Sequence, residues 1–540
     1  EIRLSLVGSE MCIRDSATTE FEAVLSGNGN DRLTNSAGPA ILGGGGGRDT
    51  LLGGNLDDRL EGDEGDDSLV GGAGADLLVG GAGTDTLLGG DGDDVVVADA
   101  SDLAAGSVRG DSGTDQLVIE GIANATLNAS ATGFETVLGG AGDDTLLAGD
   151  TLPRMIEGGE GDDIVEGGAG ADTLRGGGGL DIVSYAAATA AITFNLATGV
   201  RTGAASADVL EGFEGIGGTA FADSLVGDGR ANILEGGGGA DTLVAGGVEG
   251  DSGEIDLLSY RSSGAGVQVR LTSAEAVVTG GHASGDVATG FGGVIGSAFA
   301  DSLLGDERDN LLEGGGGADT LDGGAGFDTL SYRRAQAGVQ VSLTSGTGTH
   351  GDAAGDVVLN FEAVQGSRFN DTFVDAGGAV AYRGGDGLDR VDYAAASDSV
   401  HLNLGGGVGL AGAALGDSYS EIEAVIGTAF ADTLIAGEGA HTLEGGAGND
   451  ILVAKVGGDL LRGGAGHDVY RFGFGSGAAV IEESEGIDVL QLDSGITTEN
   501  LAFAVIGNDV VIGLRNSLRD RYTPPSALPD HIVIRGGALE

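Results

Sequence analysis

Aspartate recurs at strict nine-residue intervals near the start of this chain: Asp49, Asp58, Asp67, Asp76, Asp85 and Asp94. Two residues after each comes an aliphatic side chain, Leu51, Leu60, Leu69, Leu78, Leu87 and Val96, and the block before each is rich in glycine, as in Gly71-Gly72-Ala73-Gly74-Ala75-Asp76. A short fixed period marks a solenoid, in which every repeat buries its apolar residue only by stacking on its neighbours. A flexible Gly/Asp linker would have no reason to keep an aliphatic residue in register. Glycine and proline together make up only about a fifth of the chain, below the roughly 25–30% that signals low complexity.

Each repeat divides into a glycine-rich turn of six residues and a strand of three. Side chains alternate along a strand, so Leu51, Leu60 and their equivalents point inward as an aliphatic ladder. Two repeats close one flattened coil, so residues eighteen apart become neighbours across a parallel ladder at about 4.8 Å. Asp58, Asp76 and Asp94 then line one edge, with Asp49, Asp67 and Asp85 on the other. Carboxylates stacked at that spacing repel by about 1–3 kcal/mol per pair. A hard cation with six to eight oxygen ligands relieves this, and an irregular shell of carboxylates and glycine carbonyls suits calcium better than magnesium. Zinc would require Cys or His at close spacing. The ninth position is often apolar as well (Leu52, Val70, Val79, Leu88, Val97) although it should face outward.

The register returns at Asp144, then at Asp163, Asp172 and Asp181, and at Asp223 and Asp241 with Asn232 between them. It continues at Asp301, Asn310, Asp319 and Asp328, and finally at Asp432, His441, Asp450, Asp459 and Asp468. The aspartates in these runs are the expected metal ligands. Asn can still offer an oxygen, whereas His441 marks a vacant or weakened site. A Glu stands nine residues ahead of several runs (Glu22, Glu135, Glu214, Glu362, Glu423), with Gly292 in that place before Asp301, which puts Val24, Val137, Ile216, Val294, Val364 and Val425 in the inward slot. Runs tend to end on Tyr185, Tyr260, Tyr332 or Tyr393, expected to cap exposed coil ends. Strict alternation follows each: Ile192/Phe194/Leu196, Val267/Val269/Leu271, Val339/Val341/Leu343 and Val400/Leu402/Leu404. Such alternation denotes half-buried strands, either antiparallel excursions or altered coils.

The formal charge is −59, and Lys455 is the only lysine. That balance repels nucleic acid and anionic lipid and attracts divalent cations. No apolar run approaches the eighteen residues a membrane span requires. Leu6 to Asp15 resembles a reading frame of a transposon-type sequencing adaptor and holds the only cysteine, Cys12, so residues 1–16 are left out of the fold reasoning.

With those residues in view, residues 43–97, 157–185 and the later runs resemble the RTX, or haemolysin-type calcium-binding, repeat. The segments between them are similar to those of large RTX proteins of Gram-negative bacteria. The resemblance implies an all-β chain, a parallel β-roll or β-solenoid interrupted by β-strand modules. It also implies multiple Ca2+ ions, the type I secretion apparatus as partner, and an extracellular or cell-surface destination. Leu56 and Asp63 replace turn glycines, which puts their sites in doubt. The expected divisions are a leading coil at 17–42, a repeat run at 43–98, an irregular β segment at 99–156 and a second run at 157–185. Repeat modules follow at 186–256, 257–332, 333–393 and 394–467, then a β module at 468–540 that resembles the one often found after haemolysin-type repeats and is placed to cap the solenoid.

Catalytic readings are weak. Gly110-Asp111-Ser112-Gly113 and Gly250-Asp251-Ser252-Gly253 look like a serine-protease tetrad, but the first is a nonapeptide ending in Asp115 and Leu117, and the first histidine, His282, lies downstream of both. Six scattered histidines form no His-Glu-x-x-His. The expectation is therefore a non-enzymatic calcium-binding segment that folds outside the cell. Two other readings are the carboxy-terminal secretion and stability part of an RTX hydrolase or toxin, and an adhesin or biofilm-matrix spacer.

Overall fold

A computed structural model describes residues 6–7, 10–11, 22–35, 38–247, 255–482, 486–516 and 523–535. Cys12 and the Asp251-Ser252 pair lie outside them. The regular structure among the described residues is almost entirely short β-strands, most of them paired in parallel, as the all-β solenoid reading requires, and the chain divides into two units.

The first unit comprises residues 1–259 with 284–291. Its opening coils carry the predicted register: Leu51 pairs with Leu69 and Leu69 with Leu87 on one wall, while Leu42, Leu60, Leu78 and Val96 align on the other. The step is eighteen residues, two repeats per coil. Leu51, Leu60, Leu69, Leu78, Leu87 and Val96 are all fully buried, each worth about 1.5–3 kcal/mol of apolar burial. The strands are longer than three residues here, as in Arg59–Glu64 and Ser68–Ala73, because pairing continues through the glycines (Gly72 with Gly90). The outward apolar positions are explained by the same stacking: Leu52, Val70 and Leu88 pair in succession and lie half-buried against one another.

The stretch read as irregular β contains a helix, Ala100–Ala105. Asp99 accepts the N–H groups of Ser101 and Asp102 at 2.7 and 3.2 Å, Asp102 reaches back to the Asp99 N–H at 3.0 Å, and Gly106 ends the helix at φ 70°. This reciprocal capping box stabilises a single helical turn where periodicity is silent.

The second unit comprises residues 260–283 with 292–540. It settles the choice left open for the alternating segments. Strand Gln340–Ser342 pairs in parallel with Thr372–Val374 ahead of it and antiparallel with Thr347–His350. Strand Val357–Leu359 then returns to pair in parallel with Thr320–Asp322. The module is a three-stranded meander inserted between two coils, both excursion and solenoid wall. Val400–Asn403, Val408–Gly412 and Ser418–Ser420 repeat this plan, and in the first unit Thr193–Asn195 and Val209–Glu211 occupy the corresponding places.

The inward slots proposed after each Glu are buried at Val137, Ile216, Val294, Val364 and Val425, whereas Val24 is only half-covered. Tyr185, Tyr260, Tyr332 and Tyr393 do not cap exposed ends; all four are buried side chains of the coil interior. At the carboxy-terminal side, Leu501–Ile506, Asp509–Leu514 and His531–Ile534 form an antiparallel sheet. His531–Ile534 also pairs in parallel with Ala478–Ile481, so the β module is joined to the coil stack by a strand.

Candidate metal centre

Each run aspartate is buried and does two different things with its two oxygens. From Asp49 to Asp94, Oδ1 accepts the backbone N–H of the residue eighteen earlier. Asp58 donates to Asp76 and Asp76 to Asp94 at 2.8 Å along one edge, while Asp49 donates to Asp67 and Asp67 to Asp85 at 2.7 Å along the other. The two predicted rows are therefore physical columns, tied coil to coil. Oδ2 is sealed from solvent and accepts no hydrogen bond at Asp49, Asp58, Asp67, Asp76, Asp85, Asp94, Asp163, Asp172, Asp181, Asp241, Asp319, Asp328 and Asp450, and likewise at Asp115 and Asp389. A buried carboxylate oxygen without a partner is costly.

What faces these oxygens fits a hard cation. A Cβ on Gly53 would lie 2.5 Å from the Gly71 carbonyl oxygen and 2.7 Å from Asp58 Oδ2; one on Gly44 would lie 2.5 Å from Asp49 Oδ2 and 2.9 Å from Gly62 O. Glycine keeps open the space between a carboxylate of one turn and a carbonyl of the next. The donor set is all oxygen and anionic, the set calcium prefers. Among the described residues no cluster of three His, Cys, Asp or Glu side chains forms a compact chelate, so a cation held here would draw its remaining ligands from carbonyls such as Gly71 O.

Electrostatics agree. Burial pushes Asp67, Asp76 and Asp85 up to about 6 and Asp163, Asp241, Asp319, Asp389 and Asp450 up to about 7, although a backbone N–H bond opposes the rise in each. Neighbouring carboxylates of the same column add to it.

Other aspartates assigned from the sequence are placed differently. Asp144, Asp223, Asp301, Asp432 and Asp459 have both oxygens bonded by protein donors. Gly140 N–H reaches Asp144 Oδ2 at 3.0 Å and Lys455 N–H reaches Asp459 Oδ2 at 2.8 Å. Thr219, Ser297 and Thr428 each give a backbone N–H at 2.6 Å to Asp223, Asp301 and Asp432. Asp468 Oδ1 accepts the Asp450 N–H at 2.8 Å. Asn232 and Asn310 turn Oδ1 to their own turn (2.6 and 2.7 Å) and donate through the amide to the Glu214 and Gly292 carbonyls. His441 N–H continues the column to Asp459 Oδ1 at 3.0 Å, while its Nδ1 lies 3.6 Å from that oxygen, which raises the imidazole pKa.

Several participants escaped the sequence reading. Asp115 and Asp389 carry the full orphan pattern. Asp102, on the helix, takes the Asp85 N–H at 2.5 Å and completes that column. Glu135, Glu214, Glu362 and Glu423 use their longer side chains to accept from Asp115, Asp181, Asp328 and Asp389, closing the last turn of each run. In Asp-Asp doublets the first residue bonds forward: Asp57 accepts from Ala75, Asp66 from Thr84 and Asp93 from Thr114. The doublet itself was the available signal. Ser112 of the suspected tetrad donates to Asp91 Oδ1 at 2.7 Å and lies exposed at the end of strand Val108–Ser112.

The RTX calcium-binding nonapeptide repeat matches residues 43–78, 70–102, 131–150, 155–187, 217–248, 295–330, 426–461 and 444–477. No curated protein matches the chain. The matched family is one of calcium-binding repeats, several copies of which imply several bound Ca2+ ions. With a parallel β-solenoid carrying those repeats, the chain matches the architecture of RTX β-roll proteins over the matched residues.

Proposed function

We propose that the chain is a calcium-driven folding segment of a secreted or cell-surface bacterial protein, exported by a type I apparatus with its calcium-requiring coils unfolded, which calcium closes outside the cell. The metal sites are assigned to the turns whose aspartate Oδ2 is orphaned, from Asp49 to Asp94, at Asp115, at Asp163, Asp172 and Asp181, and at Asp241, Asp319, Asp328, Asp389 and Asp450. The observation that carries this reading is the column of sealed carboxylate oxygens without a donor. Bound calcium supplies the positive charge that such a column lacks.

The magnitudes suit a switch. Extracellular calcium modules bind with dissociation constants of about 10⁻⁴–10⁻³ M. At about 1 mM calcium and about 0.1 mM affinity each site adds about 1.4 kcal/mol, and at submicromolar calcium almost nothing. A dozen such sites exceed the roughly 5–15 kcal/mol that holds a typical domain. Catalysis has no place in this reading, because the buried carboxylates are committed to the coil-to-coil ladder. Among the described residues no helix is long and apolar enough to cross a membrane.

The test is circular dichroism with calorimetric titration of the whole chain. β-structure should rise between micromolar and millimolar calcium with heat of binding at the same midpoint. Superimposable spectra in chelator and in calcium would overturn the proposal.

A further inference from the structure

The residue four places before each aspartate separates the coils into two kinds. Ahead of every orphaned Oδ2 it has positive φ, as at Gly72 (116°) and Gly315 (82°), and even the non-glycines Asp63 (72°) and Asp111 (73°) adopt it. Asp tolerates that region better than most residues. In these turns no N–H from that residue bonds Oδ2. Ahead of Asp223, Asp301, Asp371 and Asp432 stand Thr219, Ser297, Ser367 and Thr428, none with positive φ. Each gives its N–H to Oδ2 at 2.6 Å and its hydroxyl to the same oxygen at 3.0–3.1 Å. Oδ1 of these residues is filled by the N–H of Ile192, Val267, Val339 or Val400 at 2.6–2.7 Å. Tyrosine closes a second tier: Tyr185 and Tyr332 donate to Asp208 and Asp356 Oδ2 at 3.0 Å, and Tyr393 to Asp417 Oδ2 at 2.5 Å.

We propose that this residue assigns calcium along the chain, and that the Ser/Thr-closed coils at Asp223, Asp301, Asp371 and Asp432 take no ion and stay folded without it. The inference rests on the calcium reading of the orphaned turns. It departs from the repeat pattern, since Asp223, Asp301 and Asp432 lie inside matched spans. A carboxylate holding three or four hydrogen bonds has its charge spread over fixed donors. The N–H and O–H also occupy the side of Oδ2 that a cation would need. The closed coils pair directly with open ones, Leu225 with Leu243 and Leu303 with Leu321. In calcium-free medium they remain as pre-ordered templates, each offering a finished strand edge on which the next calcium-requiring coil forms.

Hydrogen exchange of the whole chain in chelator and in 1 mM calcium, a concentration about tenfold above a 0.1 mM dissociation constant, tests this. Amides of Ser68–Ala73 and Thr86–Asp91 should lose about tenfold or more protection on calcium removal, while those of Ser302–Leu304 and Thr372–Val374 stay unchanged. If the latter exchange as freely as the run amides in chelator, but calcium still protects the runs, the inference fails and the calcium reading stands. If the runs keep their protection in chelator, the calcium reading fails and takes the inference with it. Two Asn variants add an independent count, since Asn already occupies this slot at 232 and 310. Asp223→Asn, Asp301→Asn, Asp371→Asn and Asp432→Asn together should leave calcium stoichiometry by equilibrium dialysis unchanged. Asp67→Asn, Asp76→Asn, Asp85→Asn and Asp94→Asn should lower it. A loss in the first set overturns the assignment.

Discussion

Acidifying the calcium-stripped chain should fold it. The carboxyl values of Asp67, Asp76 and Asp85 rise from 3.8 to about 6, and those of Asp163, Asp241, Asp319, Asp389 and Asp450 to about 7, because burial penalises the charged form. A raised folded-state value means that protons favour the folded chain. The contribution is complete below the unfolded value near 3.9 and is lost as pH rises through about 6–7. Each rise corresponds to about 3–4 kcal/mol. Screening by the surrounding polar backbone reduces this to about 1–2 kcal/mol per group. Eight groups then contribute on the order of 10 kcal/mol, comparable with the stability of a whole domain. Far-ultraviolet circular dichroism of metal-free protein, scanned from pH 8 to pH 5, should show β-structure growing through pH 7–6, and the step should flatten in calcium, which already folds the chain at pH 8. A signal that stays level or falls over that range would refute the claim that buried, unpartnered carboxylates hold the apo chain open. The same step persisting in a variant with Asn at all eight positions would assign it to general charge reduction instead.

Three further outcomes follow from the same geometry. Asp76→Asn keeps an acceptor for the Asp58 N–H but removes the charge at Oδ2, so the calorimetric calcium affinity of the first run should fall several-fold; an unchanged isotherm would exclude Asp76 as a ligand. Gly53→Val places carbon against Gly71 O and Asp58 Oδ2 and should raise the calcium midpoint, whereas Gly27→Ala, which meets nothing within 4 Å, should not; equal effects would remove the cradle argument. Tyr332→Phe strips the donor from Asp356 Oδ2 and should cost about 1–3 kcal/mol in urea unfolding at unaltered calcium stoichiometry, and a neutral result would show that the buried hydroxyl is not what satisfies that carboxylate.

The aliphatic ladder and the two aspartate columns were legible because an eighteen-residue step and strand alternation leave no freedom in where Leu51 or Asp76 can lie. The division between open and closed turns was equally written in the residues, since Ser297 and Thr428 stand where Gly72 does, but its meaning depends on backbone handedness and not on side-chain type alone. Asp63 shows this: a replaced glycine that looked like damage keeps φ at 72° and leaves the Asp67 turn open. The buried tyrosines were misread because a hydroxyl partner such as Asp356 lies 24 residues away and belongs to no period. The meander of residues 340–359 was ambiguous for a related reason. Alternation fixes which side chains point inward, yet it does not say which neighbour a strand will pair with.

The opposed reach of the Asp-Asp doublets gives the coils of the first run two unlike faces. Toward the preceding coil it presents inner carboxylate oxygens, as Asp76 does to Asp58, together with outer N–H groups, as Ala75 does to Asp57. Toward the following coil the roles are exchanged, with Asp76 donating to Asp94. Like faces brought together would set acceptor against acceptor at the inner row and donor against donor at the outer one, while unlike faces mesh at both. Any end-to-end joining of two copies through bare coils therefore favours head-to-tail order, a heterologous contact that propagates as a filament and does not close on itself as a two-fold dimer.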